Sequence, residues 1–310
     1  MSAEDRSGSV YHIQERDITV LSSQILDLSL PWSQLVALDL RPISLAPDVA
    51  LVLMHRTAMS LQEAFFRLDS DANAPTKASY LRPLMDPPNV RMTALKKLII
   101  ILGGTEAGFF CQVLAPRLKE LRVEMTNANI EGWNLALFRP LIALCPRKLE
   151  VLELVDSQGH AAVLLRTPEG RQLTHLELEA LLQFIPNVHT LRLPRSLFVH
   201  STTLRKLGNG HLLPSLKTLE VTASSLTNAE DIMFMITERV LVIEAARRGV
   251  GMSTVNVGGS LEEGEERHVE AITNVVLHMT LAERSAFLKD VILEYLSGLG
   301  DVEIRVEAMW

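Results

Sequence analysis

Residues 118–123 read Leu-Lys-Glu-Leu-Arg-Val. Along a β-strand, successive side chains point to opposite faces, so this spacing puts Leu121 and Val123 on one face and Glu120 and Arg122 on the other. Leu118 enters the same apolar side from the preceding turn. Just upstream lies Leu114-Ala115-Pro116. Proline has no amide proton and pushes its predecessor out of helical geometry, so it hands the chain from helix to strand.

The same template, apolar-x-x-apolar-x-apolar, recurs along the chain. It fits Leu35-Leu38-Leu40, Leu95-Leu98-Ile100, Leu149-Leu152-Leu154, Val188-Leu191-Leu193 and Leu216-Leu219-Val221. Looser copies fall at Leu61-Ala64-Phe66, Met252-Val255-Val257 and Leu299-Val302-Ile304. Three more copies follow a proline stop, at Cys145-Pro146, Ile185-Pro186 and Leu213-Pro214. Between the strands, Thr174-x-x-Glu177, Thr227-x-x-Glu230 and Thr280-x-x-Glu283 have the spacing of helix capping boxes. Repetition of this kind predicts an α/β leucine-rich-repeat solenoid, a horseshoe with parallel strands on its concave face and helices on its convex face. Residues 1–29 are expected to be a capping or partly disordered segment, and residues 30–310 to hold about nine irregular repeats. The spacing is uneven: 23 residues separate Leu95 from Leu118, but 39 separate Leu149 from Val188. The extra length falls in polar stretches at 69–93 and 156–172, and 260–267 reads as a solvated acidic loop.

Hydrophobic residues make up 47% of the 310-residue chain, enough to bury a core, while aromatic residues are only 5%. The formal net charge is −7 and no basic block occurs in sequence, so no nucleic-acid partner is expected. The apolar runs fall far short of the roughly 20 residues needed to span a bilayer, so no membrane partner is expected either. The two cysteines, Cys111 and Cys145, lie in apolar surroundings. They read as buried structural thiols of an intracellular protein, cytoplasmic or nuclear.

The stretch Leu30-Pro31-Trp32-Ser33-Gln34 followed by Leu35-Val36-Ala37-Leu38-Asp39-Leu40 resembles the opening repeat of fungal F-box/leucine-rich-repeat proteins. The later P-x-L-xx-L-x-L units resemble their successive repeats, over residues 30–310. The resemblance implies a ubiquitin-ligase adaptor that recognises a protein substrate. A ligase scaffold would be a partner only if an F-box lay upstream, since residues 1–29 are too short and polar to hold one. The family's usual Asn or Cys in the turn is replaced by Thr126, Ser157, Ser196, Ser224 and Ser260, which implies less regular turns. A leucine-rich scaffold or small-GTPase regulator with no link to ubiquitin ligases shares these expectations. A compact α/β enzyme is a third class.

No catalytic, cofactor-binding or metal-binding residue is expected. Gly103-Gly104 and Gly258-Gly259 lack the rest of a phosphate loop, and no His-Glu-x-x-His or Gly-x-Ser-x-Gly occurs. What remains is the outward row of the strands, where a protein partner would bind. The candidates are Asp39, Glu63, Phe65, Lys97, Ile99, Glu120, Arg122, Glu153, Arg192 and Glu220: charged specificity contacts around the apolar Phe65 and Ile99.

Overall fold

The computed structural model describes residues 9–12, 22–69, 90–103, 107–126, 133–143, 145, 148–156, 175–248, 269–291, 295 and 302–309. The chain forms two compact units, Met1–Arg171 and Gln172–Trp310.

In the first unit, β1 (Ser9–His12), β2 (Leu35–Leu45), β3 (Glu63–Leu68), β5 (Lys97–Leu102), β7 (Glu120–Met125) and β8 (Val151–Asp156) pair in that order, all parallel. The short β4 (Val90–Arg91) and β6 (Val113–Leu114) pair separately. In the second unit, β9 (Thr190–Arg192), β10 (Thr218–Thr222), β11 (Asn274–Thr280) and β12 (Glu303–Met309) are likewise parallel and in chain order. Among the described residues, the main-sheet strands of each unit pair in chain order without a reversal.

The template residues take the places their alternation demands. Leu95, Leu98, Ile100, Leu118, Leu121, Val123, Leu149, Leu152 and Leu154 are fully buried. The register stacks Leu98 on Leu121 on Leu152, and Ile100 on Val123 on Leu154. Each such burial contributes about 1.5–3 kcal/mol. The proline signals are turns: the carbonyls of Ala115, Cys145, Ile185 and Leu213 each accept the amide of the residue three positions on. One contact then sets each strand's start. The Gln62 carbonyl accepts the amides of Lys96 and Lys97, that of Lys96 those of Lys119 and Glu120, and that of Lys119 those of Glu150 and Val151, all at 2.8–3.0 Å. In the second unit, His189 and Lys217 hold the next strand in the same way.

The expected leucine-rich horseshoe is corrected by what lies between the strands. The segments there run from three-residue 3-10 turns at Trp32–Gln34 and Leu135–Leu137 to a helix of 22 residues. Strand length varies from 2 to 11 residues. The protein is a pair of α/β units, each a parallel sheet with helices of irregular length. The physical reason is that the template specifies only a strand with one buried face. It says nothing of the element that covers that face.

The cover is held by residues outside the template. In the first unit, where α1 (Pro47–Arg56), α2 (Ala107–Gln112) and α3 (Arg139–Ala143) lie between the strands, Phe110 meets Phe109 and Phe138 edge-on at 5.4 and 4.8 Å, and the Trp133 indole donates to Asp156 Oδ1 at 2.7 Å. In the second, α4 (His175–Leu182), α5 (Ser201–Gly208), α6 (Leu226–Arg247) and α7 (Leu281–Ala286) accompany the strands. Thr280 and Glu283 form the expected capping box, whereas α6 is capped by Ser225 rather than Thr227. Thr174 and the 260–267 loop lie outside the described residues, as do residues 70–89 and the Met252 strand. The strand of that region begins at Asn274.

The buried Arg239 of α6 donates to the carbonyls of Glu270 (2.6 Å), Leu207 (2.7 Å) and Leu213 (2.9 Å), and also to Pro214 and Leu216. Burial pulls its guanidinium down to about 10, against the charge of Glu270. Leu213 needs this support, because its φ of 46° lies in the left-handed region, which costs a residue with a Cβ about 1–2 kcal/mol. Arg239→Leu leaves these carbonyls without their donor and is expected to lower stability to urea by at least about 3 kcal/mol. A loss below about 1 kcal/mol would show that the clamp is dispensable. Leu121→Ala, which empties one stacked layer, is expected to cost about 2–5 kcal/mol in the same measurement.

Candidate functional site

The outward positions of the first sheet form rows across the strands. Asp39, Phe65, Ile99, Arg122 and Glu153 are successive register partners, as are Glu63, Lys97 and Glu120. Eight of the ten sequence-derived candidates are thus brought together on one face. Arg192 and Glu220 belong to the second unit, where they are register partners joined by an ion pair of 2.9 Å.

On the first unit's face, the charges largely answer one another. Lys97 pairs with Glu120 at 2.7 Å, and Arg122 pairs with Glu153 at 3.3 Å and Glu124 at 3.5 Å. Arg41 chelates Asp39 and lies 5.0 Å over the Phe65 ring. Each exposed pair contributes at most about 1 kcal/mol, but together they leave this face with little surplus charge.

In the second unit, the outward face carries a cluster of which the sequence singled out only Arg192 and Glu220. His278, almost wholly buried, donates from Nε2 to Glu220 Oε1 at 2.8 Å, and its Nδ1 lies 3.5 Å from Glu307. Arg192 and Arg195 approach the same two carboxylates at 2.9 and 4.0 Å. Burial raises the Glu220 carboxyl. The hydrogen bond from His278 and the charges of Arg192, His278 and Arg195 outweigh that and hold it below its ordinary value. The cluster ties β9, β10, β11 and β12 together across the sheet.

A surplus of charge sits instead beside the strand starts of the first unit. Lys96, Arg117, Lys119, Lys148 and Glu150 line an open groove of about 350 Å³. Lys96, Lys119 and Glu150 each follow the first leucine of their template, while Arg117 and Lys148 each precede one. The hydrogen-bonded strand starts described above therefore bring five residues, 54 positions apart from first to last, to one place. Lys96 Nζ donates to Gln62 Oε1 at 2.8 Å, and Lys119 pairs with Glu150 at 2.6 Å. Arg117 and Lys148 have no ion-pair partner among the described residues. Charge-run reading missed this site because no two of its cations are adjacent in sequence. The signal was the phase of each lysine against its leucine.

Among the described residues, no helix is long and apolar enough to cross a membrane, and no group of three His, Cys, Asp or Glu side chains is placed to hold a metal. Cys145 is buried and its thiol is pushed up to about 11 by that burial, whereas Cys111 is exposed, contrary to the expectation of two buried thiols.

No protein-family model matches the chain, and no curated protein matches it. The expected kinship with fungal F-box/leucine-rich-repeat proteins is therefore corrected. It has no family match behind it, and the irregular cover of the two sheets departs from the regular unit on which it rested. The functions expected through it go with it, both ubiquitin-ligase substrate recognition and the leucine-rich scaffold or GTPase regulator.

Because the Glu220 carboxyl is held below its ordinary 4.5, its stabilising contribution is complete above that pH and is lost as the pH falls through the lowered value. Urea unfolding across a pH series should show wild type more stable than Glu220→Gln at neutral pH. The gap should close in acid. A gap that is constant with pH would mean that Glu220 acts through packing alone.

Proposed function

We propose that the first unit binds an anionic ligand in the groove beside the starts of β5, β7 and β8. The observation that carries this reading is the concentration of Lys96, Arg117, Lys119 and Lys148 against the single carboxylate of Glu150, on a chain whose formal charge is −7. Cations on neighbouring strand starts, about 4.8 Å apart, lie within a screening length of about 8 Å at physiological salt, so their potentials add. Holding them together costs repulsion that a bound anion would relieve. The outward face of the same sheet offers less free charge, because its Arg41, Lys97 and Arg122 are already paired with carboxylates.

The groove's residues are positioned by the backbone ladder, which keeps the site formed when no ligand is present, and Lys119 and Glu150 are also paired with each other. We further place the protein inside the cell, on the chemistry of its cysteines: only two in 310 residues, one of them a buried thiol. That composition suits a reducing compartment, cytoplasmic or nuclear.

Inorganic pyrophosphate is a suitable probe. Its titration into isotope-labelled protein should shift the backbone signals of Lys96, Lys119, Lys148 and Glu150, and added salt should weaken the effect. The double variant Arg117→Glu, Lys148→Glu removes two cations whose side chains have no hydrogen-bond or ion-pair partner among the described residues, and should leave the thermal unfolding temperature unchanged. It should weaken binding by at least about tenfold, or 1.4 kcal/mol. Shifts confined to other residues, or unaffected by the double variant, would exclude the groove as the site.

A further inference from the structure

We infer that the ligand of this groove is an extended acidic peptide segment of a partner protein, lying across the starts of β5, β7 and β8. This rests on the anionic reading above and adds the class of ligand.

Three observations select a peptide over a compact phosphate or a nucleic acid. The first is the state of the backbone. Tight phosphate sites present free amides that converge on one oxygen cluster. Here the amides of Lys96, Lys97, Lys119, Glu120, Glu150 and Val151 are all committed to the carbonyls of Gln62, Lys96 and Lys119. At these positions recognition falls to the side chains. Three of the four cations are lysines, which act as point charges on flexible stems and lack the planar fork with which arginine grips a phosphate.

The second is the layout. Neighbouring strands lie about 4.8 Å apart, so charges on three successive starts extend over about 10 Å. Carboxylates on alternate residues of an extended peptide recur every 6.6–7 Å, roughly, and lysine side chains span the difference. A single tetrahedral phosphate cannot reach the whole row. A single-stranded nucleic acid could, but it would need aromatic platforms on which to stack its bases, and the groove is lined by Lys, Arg and Glu alone.

The third is an internal precedent. At the third position of the row, the chain supplies a carboxylate of its own, and Lys119 receives Glu150 with Nζ 2.6 Å from Oε1. This is how an incoming glutamate would be held. It also makes Glu150 a competitor for Lys119, so the empty groove is partly self-occupied.

The test uses the full chain and a fluorescently labelled peptide of alternating glutamate and serine, with binding read by anisotropy. A glutamine-for-glutamate peptide, inorganic pyrophosphate and a single-stranded oligothymidine form the other arms. The acidic peptide should bind and the glutamine peptide should not. Arg117→Glu with Lys148→Glu should weaken peptide binding by at least about tenfold, and Glu150→Gln should strengthen it about threefold by releasing Lys119. A gain of affinity cannot come from misfolding, so the second variant guards the first. If the acidic peptide binds but neither variant changes it, the proposed seat is wrong. If pyrophosphate or oligothymidine binds at the groove and the peptide does not, the peptide inference falls and the anionic reading stands. If none of the three binds, both fall.

Discussion

One carbonyl accepting two consecutive amides is the contact on which each sheet is organised. It occurs at Gln62, Lys96 and Lys119 in the first unit and at His189 and Lys217 in the second. A parallel pair has no hairpin to fix its register, so the register must be set where each new strand begins. The shared carbonyl does this. Once Lys119 and Glu120 are tied to Lys96, Leu121 can only lie beside Leu98 and Val123 beside Ile100. A slip by one residue would turn Leu121 to solvent and bring Arg122 into the core.

The same contact shapes the surface. It uses up the backbone donors beside Lys96, Lys119 and Glu150 while leaving their side chains to project around the groove, so the site consists of charge without a backbone cradle. Along the outward face it aligns opposite charges: Lys97 meets Glu120, and Arg122 meets Glu153. The alternation of the pleat therefore divides the first unit's surface into a neutralised face and a basic margin. In the second unit it gathers Arg192, Glu220, His278 and Glu307 into a lateral chain of contacts.

What the sequence made legible follows from what its pattern encodes. The template located β2, β3, β5, β7, β8, β9 and β10 and the buried side of each, because alternation of apolar residues is a local property of a strand. The proline stops marked turns for the same reason. The cover was not legible. Nothing in the template distinguishes a 3-10 turn at Leu135–Leu137 from the long helix at Leu226–Arg247, and the resulting expectation of a regular horseshoe was too uniform. Arg239 and His278 gave no local signal either, since each acts through partners more than 20 positions away. The outward rows were readable as positions, but whether their charges cancel depends on register across strands. The groove needed that register too. Its cations are scattered in sequence and meet only because the strands start level.

The level start of the strands is thus the central claim, and residue-resolved amide hydrogen exchange tests it most directly. Lys119 is exposed and Glu150 lies at the surface, so in an irregular loop their amides would exchange freely. The shared-carbonyl arrangement predicts instead that the amides of Lys119, Glu120, Glu150 and Val151 are protected to the same degree as those of Leu121 and Leu152 in the strand interiors. Rapid exchange at Lys119 and Glu150, with protection beginning only inside the strands, would contradict it.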